Sequence, residues 1–222
     1  MTVLDTALLR HVGGGMGSNA AGVFQDEDGR RFYVKSLESP AYARNERVAA
    51  GLYRLAGAPI LTYVDTVRPD QVATELVRLE KRRVSQLSPG ERRQAQHWFG
   101  VHAWTANWDA AGFMGENQGV VDGTVLTLDV GGALEYRAMG CPKGRAFGTQ
   151  VGELDSLRRD ADNPFAVALF GDMDDDALQA AIQVVTAIAD DRIRQVIAAL
   201  GGRPALADKM IARKADMAAR GG

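Results

Sequence analysis

The sequence predicts an α+β chain of two lobes, strand-rich first and helical second. Two observations carry this. Up to about residue 79, short apolar runs alternate with turns containing Gly or Asp-Gly, around a single helical segment. From Asp174 onward, apolar residues recur at helical spacing with no strand signal between them. A chain of 222 residues can bury one sizeable core, or two small lobes that share a cleft. We expect one domain, with an N-lobe at about 1–79 and a C-lobe at about 80–222.

Taken in order, 7–12 reads as a strand running into Gly13-Gly14-Gly15-Met16-Gly17-Ser18-Asn19. A second strand at 22–25 ends in Asp26-Glu27-Asp28-Gly29, and the Asp-Gly pair favours a hairpin turn. The third strand, 31–37, has Phe32, Val34 and Leu37 apolar and Lys35 out of character with them. After Ser39-Pro40, the segment 41–56 places Val48, Leu52 and Leu55 at helical spacing, with Gly57 as the stop. Segments 60–67 and 71–79 read as two further strands. Glu80-Lys81-Arg82-Arg83 reads as a solvated linker between lobes. Ser88 suits a helix N-cap, Pro89 the first turn, and Glu91 completes a capping box for a helix running to about Thr105. Asp122-Gly123 marks a turn before a buried strand at 125–128. Helices are predicted at about 174–189, 190–200 and 205–219.

Composition narrows the function classes. Formal net charge is −2, so no basic surplus points to nucleic acid or an anionic membrane. Cys141 is the only cysteine, which excludes an intrachain disulfide and a Cys-rich metal site. His11, His97 and His102 are too few and too scattered for zinc. No apolar run is long enough to span a membrane, and the N-terminus lacks a basic region followed by an apolar core. The expected setting is reducing and cytoplasmic.

Four features converge on one kind of chemistry. Gly13, Gly14, Gly15 and Gly17 between two strands let backbone N–H groups approach phosphate oxygens, although a glycine-rich hairpin is commonly only a turn. The loop lacks the ending of a Walker A motif and precedes a strand, so it is not a P-loop. Lys35, beside Tyr33 and Val34 on an inner strand, needs an anionic partner if buried, and Glu46 in the following helix can supply one. Asp109 and Asn117, after the end of an apolar helix, suit orienting a hydroxyl and binding Mg²⁺ through oxygen. Asp129 ends an apolar strand just before Gly131-Gly132, where it presents a hard oxygen for Mg²⁺. Read singly, each has a bland alternative: a turn or a helix cap for the glycines and carboxylates, and the solvent face of its strand for Lys35. Their order along the chain is that of a nucleotide and metal site between two lobes.

With those residues in hand, the chain resembles the protein-kinase-like superfamily over roughly 8–135. Its compact, atypical branches, the phosphatidylinositol-kinase-like and HipA-like groups, look nearest. The sharpest elements are Tyr33-Val34-Lys35, Asn107-Trp108-Asp109 and Leu128-Asp129-Val130-Gly131-Gly132. The resemblance implies a two-lobed kinase-like fold with a strand-rich N-lobe and a helical C-lobe. It also implies that Lys35 holds the α- and β-phosphates and pairs with Glu46, beside a nucleotide loop including Gly15, Gly17, Ser18 and Asn19. Asp109 would be the catalytic aspartate, and Asn117 and Asp129 would bind metal. The chain departs from the ordinary pattern in having Trp108 before the aspartate and a longer Asp109–Asn117 interval. It also has Val130 in place of the DFG phenylalanine, and no Ala-Pro-Glu.

The function so implied is ATP- and Mg²⁺-dependent transfer of the γ-phosphoryl group to a hydroxyl of a small molecule or a protein. The alternatives are a pseudokinase-like module binding nucleotide or peptide, an AMP-transferring enzyme of the same fold, and a structural α+β domain whose glycines and carboxylates serve turns. The basic loop Tyr136 to Arg145 follows Asp129 and is placed by position along an acceptor site, or is plain surface. Trp98, Trp104 and Trp108 read as core rather than a stacking platform, and His102 as a hydrogen-bonded packing residue. The acidic run 172–176 reads as the N-terminus of a helix.

Overall fold

The computed structural model describes residues 3–15 and 20–221; Gly17, Ser18 and Asn19 of the expected nucleotide loop lie outside the described residues. Strands β1 (Arg10–Gly14), β2 (Ala20–Gln25) and β3 (Arg31–Ser36) form an antiparallel meander, and β4 (Tyr63–Val64) and β5 (Gln71–Glu75) complete a sheet of order β1-β2-β3-β5-β4. The β2–β3 turn contains Gly29 at φ 81°, a left-handed conformation that glycine adopts without penalty. Alternation along β3 sends Phe32 and Val34 into a small apolar cluster with Leu4 and Ala73. Lys35 therefore faces the other side, where helix α1 (Pro40–Leu55) lies.

Helix α1 starts where the sequence says it should: the Ser39 side chain accepts from the Tyr42 amide, and Pro40 occupies the first turn. Its buried face, including Val48, Leu52 and Tyr53, belongs to the large core shared with the helical lobe. That lobe comprises α2 (Pro89–His97), α3 (Phe99–Trp104), the hairpin β6 (Gln118–Val121) and β7 (Thr124–Thr127), α4 (Glu153–Arg159), α5 (Pro164–Phe170), α6 (Asp175–Thr186), α7 (Asp190–Ala199) and α8 (Pro204–Arg220). Glycine at 51 lets α1 seat on α7: a Cβ there would lie 2.3 Å from Leu200 Cδ1 and 3.0 Å from Val196 Cγ1. Asp174 caps α6, as the acidic run suggested.

Several expectations are adjusted. The strand expected over 7–12 begins with a 3-10 turn, Thr6–Leu8, capped by Asp5. The strand expected over 60–67 shrinks to Tyr63–Val64, and that over 71–79 ends at Glu75. The helix expected to run from Pro89 to about Thr105 breaks at Trp98, whose φ of −92° and ψ of 3° divide it into α2 and α3. Helices α4 and α5, of seven residues each, escaped the periodicity reading because so few turns carry little pattern.

Candidate active site

Lys35 sits mid-strand, with Ala21 of β2 on one side and Val72 of β5 on the other. Its Nζ donates to Glu46 Oε1 at 2.9 Å and to Asp129 Oδ2 at 2.8 Å. The Tyr63 hydroxyl also donates to Glu46 Oε1, at 3.1 Å. Burial disfavours charge on Lys35, but Asp129 and then Glu46 outweigh it and hold the ammonium above its ordinary pKa. Glu46 moves up, because burial and the nearby Asp129 charge outweigh Lys35. Asp129 moves down: burial opposes ionisation, and Lys35 overcomes it. Asp129 keeps 39% of its side-chain surface exposed to the cleft, against 3% for Glu46. The carboxylate open to a ligand is therefore Asp129.

The Asp129 segment is carried by the β6–β7 hairpin, in which Gln118 pairs with Thr127. Asp129 Oδ1 accepts from the Gly131 amide at 2.8 Å. A Cβ at Gly131 would lie 2.8 Å from Glu46 Oε2 and 3.1 Å from Asp129 Oδ1, so a side chain there would have to displace the two carboxylates. Asn45, buried on α1 beside Glu46, donates to the Ala133 carbonyl at 2.9 Å and accepts from the Glu135 amide at 3.1 Å. Helix α1 thus grips the segment after Asp129 directly as well as through Lys35.

Asp109 follows α3. The seven residues between Asp109 and Asn117 fold back on themselves through Gly112 (φ 88°) and Gly115 (φ 79°). Asn117 Nδ2 donates to the Asp109 carbonyl at 2.8 Å and to its Oδ2 at 3.0 Å. The long interval therefore still brings the two side chains together. Burial, then the Asp129 and Glu116 charges, push Asp109 up to about 6, against the hydrogen bond from Asn117. Trp108 is pinned by its Nε1–H on Glu153 Oε1 at 2.9 Å, and Glu153 Oε2 accepts from the fully buried Arg213 at 2.8 Å. Behind them, Tyr53 OH meets His102 Nδ1 at 2.8 Å and accepts from Asn107 Nδ2 at 3.0 Å. Burial lowers His102 to about 3, so it is a neutral packing group.

The β1–β2 loop opens at the Lys35 end of the sheet, since Ala20 and Ala21 pair with Ser36 and Lys35. A Cβ at Gly15 would lie 2.4 Å from the Ala21 carbonyl oxygen, so the backbone approaches closely there. A cleft is lined by Lys35, Glu38, Tyr42, Asp129, Arg137 and Met139, among others. The Arg137 guanidinium lies 5.1 Å above the Trp108 ring, whereas Lys143 from the same basic loop is buried, not an exposed cation. Burial pushes Lys143 down to about 7, with Glu153 opposing and Arg213 and Arg137 adding to the shift.

The donor set suits a hard cation that shares its coordination with substrate phosphates. Asn117 spends its amide N–H groups on Asp109, so its side-chain oxygen is the atom that could serve a cation, and Asp129 offers a cleft-facing carboxylate. Among the described residues no group of three or more His, Cys, Asp or Glu side chains forms a metal cage by itself. Sequence reasoning missed Tyr63, Asn45, Glu153 and Lys143. The first two carry no local motif, Glu153 lies 45 residues from its Trp108 partner, and Lys143 looked like one more surface cation.

No family model matches the chain, and no curated protein matches it. Among solved structures, the chain is similar to the Helicobacter pylori proinflammatory kinase CtkA, at 12% identity over 99% of this chain and 98% of that one, with a TM-score of 0.64. It also matches the macrolide 2'-phosphotransferase MphH from Brachybacterium faecium, at 11% identity over 95% of this chain and 93% of that one, with a TM-score of 0.40. An aminoglycoside phosphotransferase from Alicyclobacillus acidocaldarius matches at 13% identity over 94% and 91%, with a TM-score of 0.39. The chain has the two-lobed kinase-like fold, with an antiparallel sheet in the N-lobe and a helical C-lobe.

Proposed function

We propose that this chain is an ATP- and Mg²⁺-dependent phosphotransferase that moves the γ-phosphoryl group to a hydroxyl. The observation that carries the reading is the Lys35 ammonium held between Glu46 and Asp129, with Asp109 and Asn117 hydrogen-bonded on the neighbouring loop. In this reading Glu46 steadies Lys35 against the α- and β-phosphates, and Gly15, Gly17, Ser18 and Asn19 would help to fix the triphosphate. Asp129 and Asn117 would hold Mg²⁺, which when bound neutralises charge on the phosphate oxygens. Asp109 takes the acceptor proton as the acceptor oxygen bonds to the γ-phosphorus and the bond to the β-bridging oxygen breaks. Catalysis then rests on positioning and charge stabilisation.

The acceptor hydroxyl belongs to a small molecule or a protein. We read the chain as a single kinase-like domain of a compact, atypical branch, phosphatidylinositol-kinase-like or HipA-like, acting in the cytoplasm with no nucleic-acid partner. No helix among the described residues is long and apolar enough to cross a membrane.

The test is mass spectrometry of products formed from ATP and Mg²⁺, with the wild type and Asp109→Asn in parallel. The reading predicts phosphoryl gain on an acceptor or on the protein itself, reduced by about 10²–10⁴-fold in the variant. Adenylyl gain would replace it with AMP transfer. Nucleotide binding without any product would favour a pseudokinase-like module, and absence of binding would reduce the chain to a structural domain.

A further inference from the structure

Lys143 has only 5% of its surface exposed, and no ion pair to it occurs among the described residues. An ammonium so placed is unfavourable unless its N–H groups are satisfied. Two of them are. Nζ donates to the Ala106 carbonyl at 2.6 Å and to the Gly132 carbonyl at 2.7 Å, and it stands 4.8 Å from the centre of the Trp108 ring. The loop after Asp129 turns back on itself to deliver it, through Arg137 N to Cys141 O at 2.8 Å and Lys143 N to Glu135 O at 2.9 Å.

The two acceptors are not arbitrary carbonyls. Ala106 lies three residues before Asp109, and Gly132 three residues after Asp129. Ala106 is itself left-handed without being glycine, at φ 51°; so is Leu134, two residues after Gly132, at φ 59°, and its N donates to the Thr105 carbonyl at 2.7 Å. Such conformations persist only where surrounding bonds hold them. The loops touch, since a Cβ at Gly132 would lie 3.3 Å from Asp109 Cβ. We propose that Lys143 is a positioning residue. Its buried ammonium fastens the root of the Asp109 loop to the loop after Asp129 and so sets the spacing of the two carboxylates. Its meaning for catalysis rests on the phosphotransfer reading; the fastening itself does not.

The experiment is amide hydrogen exchange on the full chain, wild type against Lys143→Met, with steady-state turnover measured on the same samples. The proposal predicts exchange faster by about tenfold or more in both 105–112 and 130–135, with α6, α7 and α8 unchanged. Where the wild type turns over, kcat should fall by about tenfold or more while KM for ATP moves by less than about threefold. Should Lys143→Met fail to fold, Lys143→Gln, whose shorter side chain cannot span both carbonyls as the lysine does, takes its place with the same readouts. Unchanged exchange in either loop, or a uniform rise across the molecule, overturns the proposal. A wild type that binds Mg-ATP but transfers nothing overturns the phosphotransfer reading alone, because the exchange result still decides whether Lys143 joins the loops.

Discussion

Lys35 Nζ and Asp129 Oδ2 lie 2.8 Å apart although 94 positions separate them in the chain. The contact joins the inner strand of one lobe to the end of a hairpin in the other, and Glu46 closes the triangle at 2.9 Å. Replacing Lys35 by Met leaves two carboxylates facing each other without a cation. Unfolding stability should fall by roughly 2–4 kcal/mol, at or below the usual loss for a broken buried pair because Asp129 remains partly solvated. In a double-mutant cycle by urea unfolding, Glu46→Gln should recover part of this loss. Additive single effects would show that the pair is not coupled.

Asp109 gives a pH signature. Its carboxyl is raised from 3.8 to about 6, so the folded state binds its proton more tightly than the unfolded state does. Between those values stability therefore declines as pH rises, while the ionised form needed to accept a proton becomes populated. Turnover should show an acidic limb near pH 6, and Asp109→Asn should be more stable than the wild type at pH 7.5 by about 1–3 kcal/mol. A pH–rate profile flat from 5 to 8 would exclude Asp109 as the base.

Gly51 is a packing prediction. A helix-interior glycine is ordinarily disfavoured, yet here a side chain would collide with Leu200 and Val196. Gly51→Val should lower stability by about 1–3 kcal/mol by overpacking. Because the same helix bears Asn45 and Glu46, it should also weaken nucleotide binding, measurable by thermal shift with Mg-ATP. A variant that loses stability but binds nucleotide normally would separate α1 packing from the site.

Arg213 anchors Trp108 at one remove. It is fully buried and donates to Trp104 O at 2.7 Å, Ala103 O at 2.8 Å and Gly148 O at 2.8 Å as well as to Glu153. Arg213→Met strands Glu153 in the core and should cost about 3–5 kcal/mol by denaturant unfolding. Glu153→Gln, which keeps an acceptor for Trp108, should lose less. Equal losses would argue that Arg213 acts through packing alone.

Much of this was legible in the chain, and the reasons are local. Ser39-Pro40 and Ser88-Pro89 announce helix starts by chemistry confined to a few residues, and both caps form. Lys35 stood out because a charge in an apolar setting requires a partner, Glu46 in the following helix offered one, and Asp129 stood out at the end of an apolar strand just before Gly131-Gly132. Long-range placement was not legible. Nothing near Lys143 tells that its ammonium is buried between two loops, and nothing near Glu153 tells that it receives Trp108 from one side and Arg213 from the other. The short helices α4 and α5 likewise exist by tertiary packing, with Leu154, Leu157, Leu169 and Phe170 in the common core.

Isothermal titration with a nonhydrolysable ATP analogue, with and without Mg²⁺, tests the central claim most directly when run on the wild type and Asp129→Ala. The account predicts binding by the wild type that strengthens with Mg²⁺, and a loss of at least about tenfold, together with the Mg²⁺ dependence, in Asp129→Ala. Nucleotide binding that ignores both Mg²⁺ and the loss of Asp129, or no binding by the wild type under either condition, would contradict it.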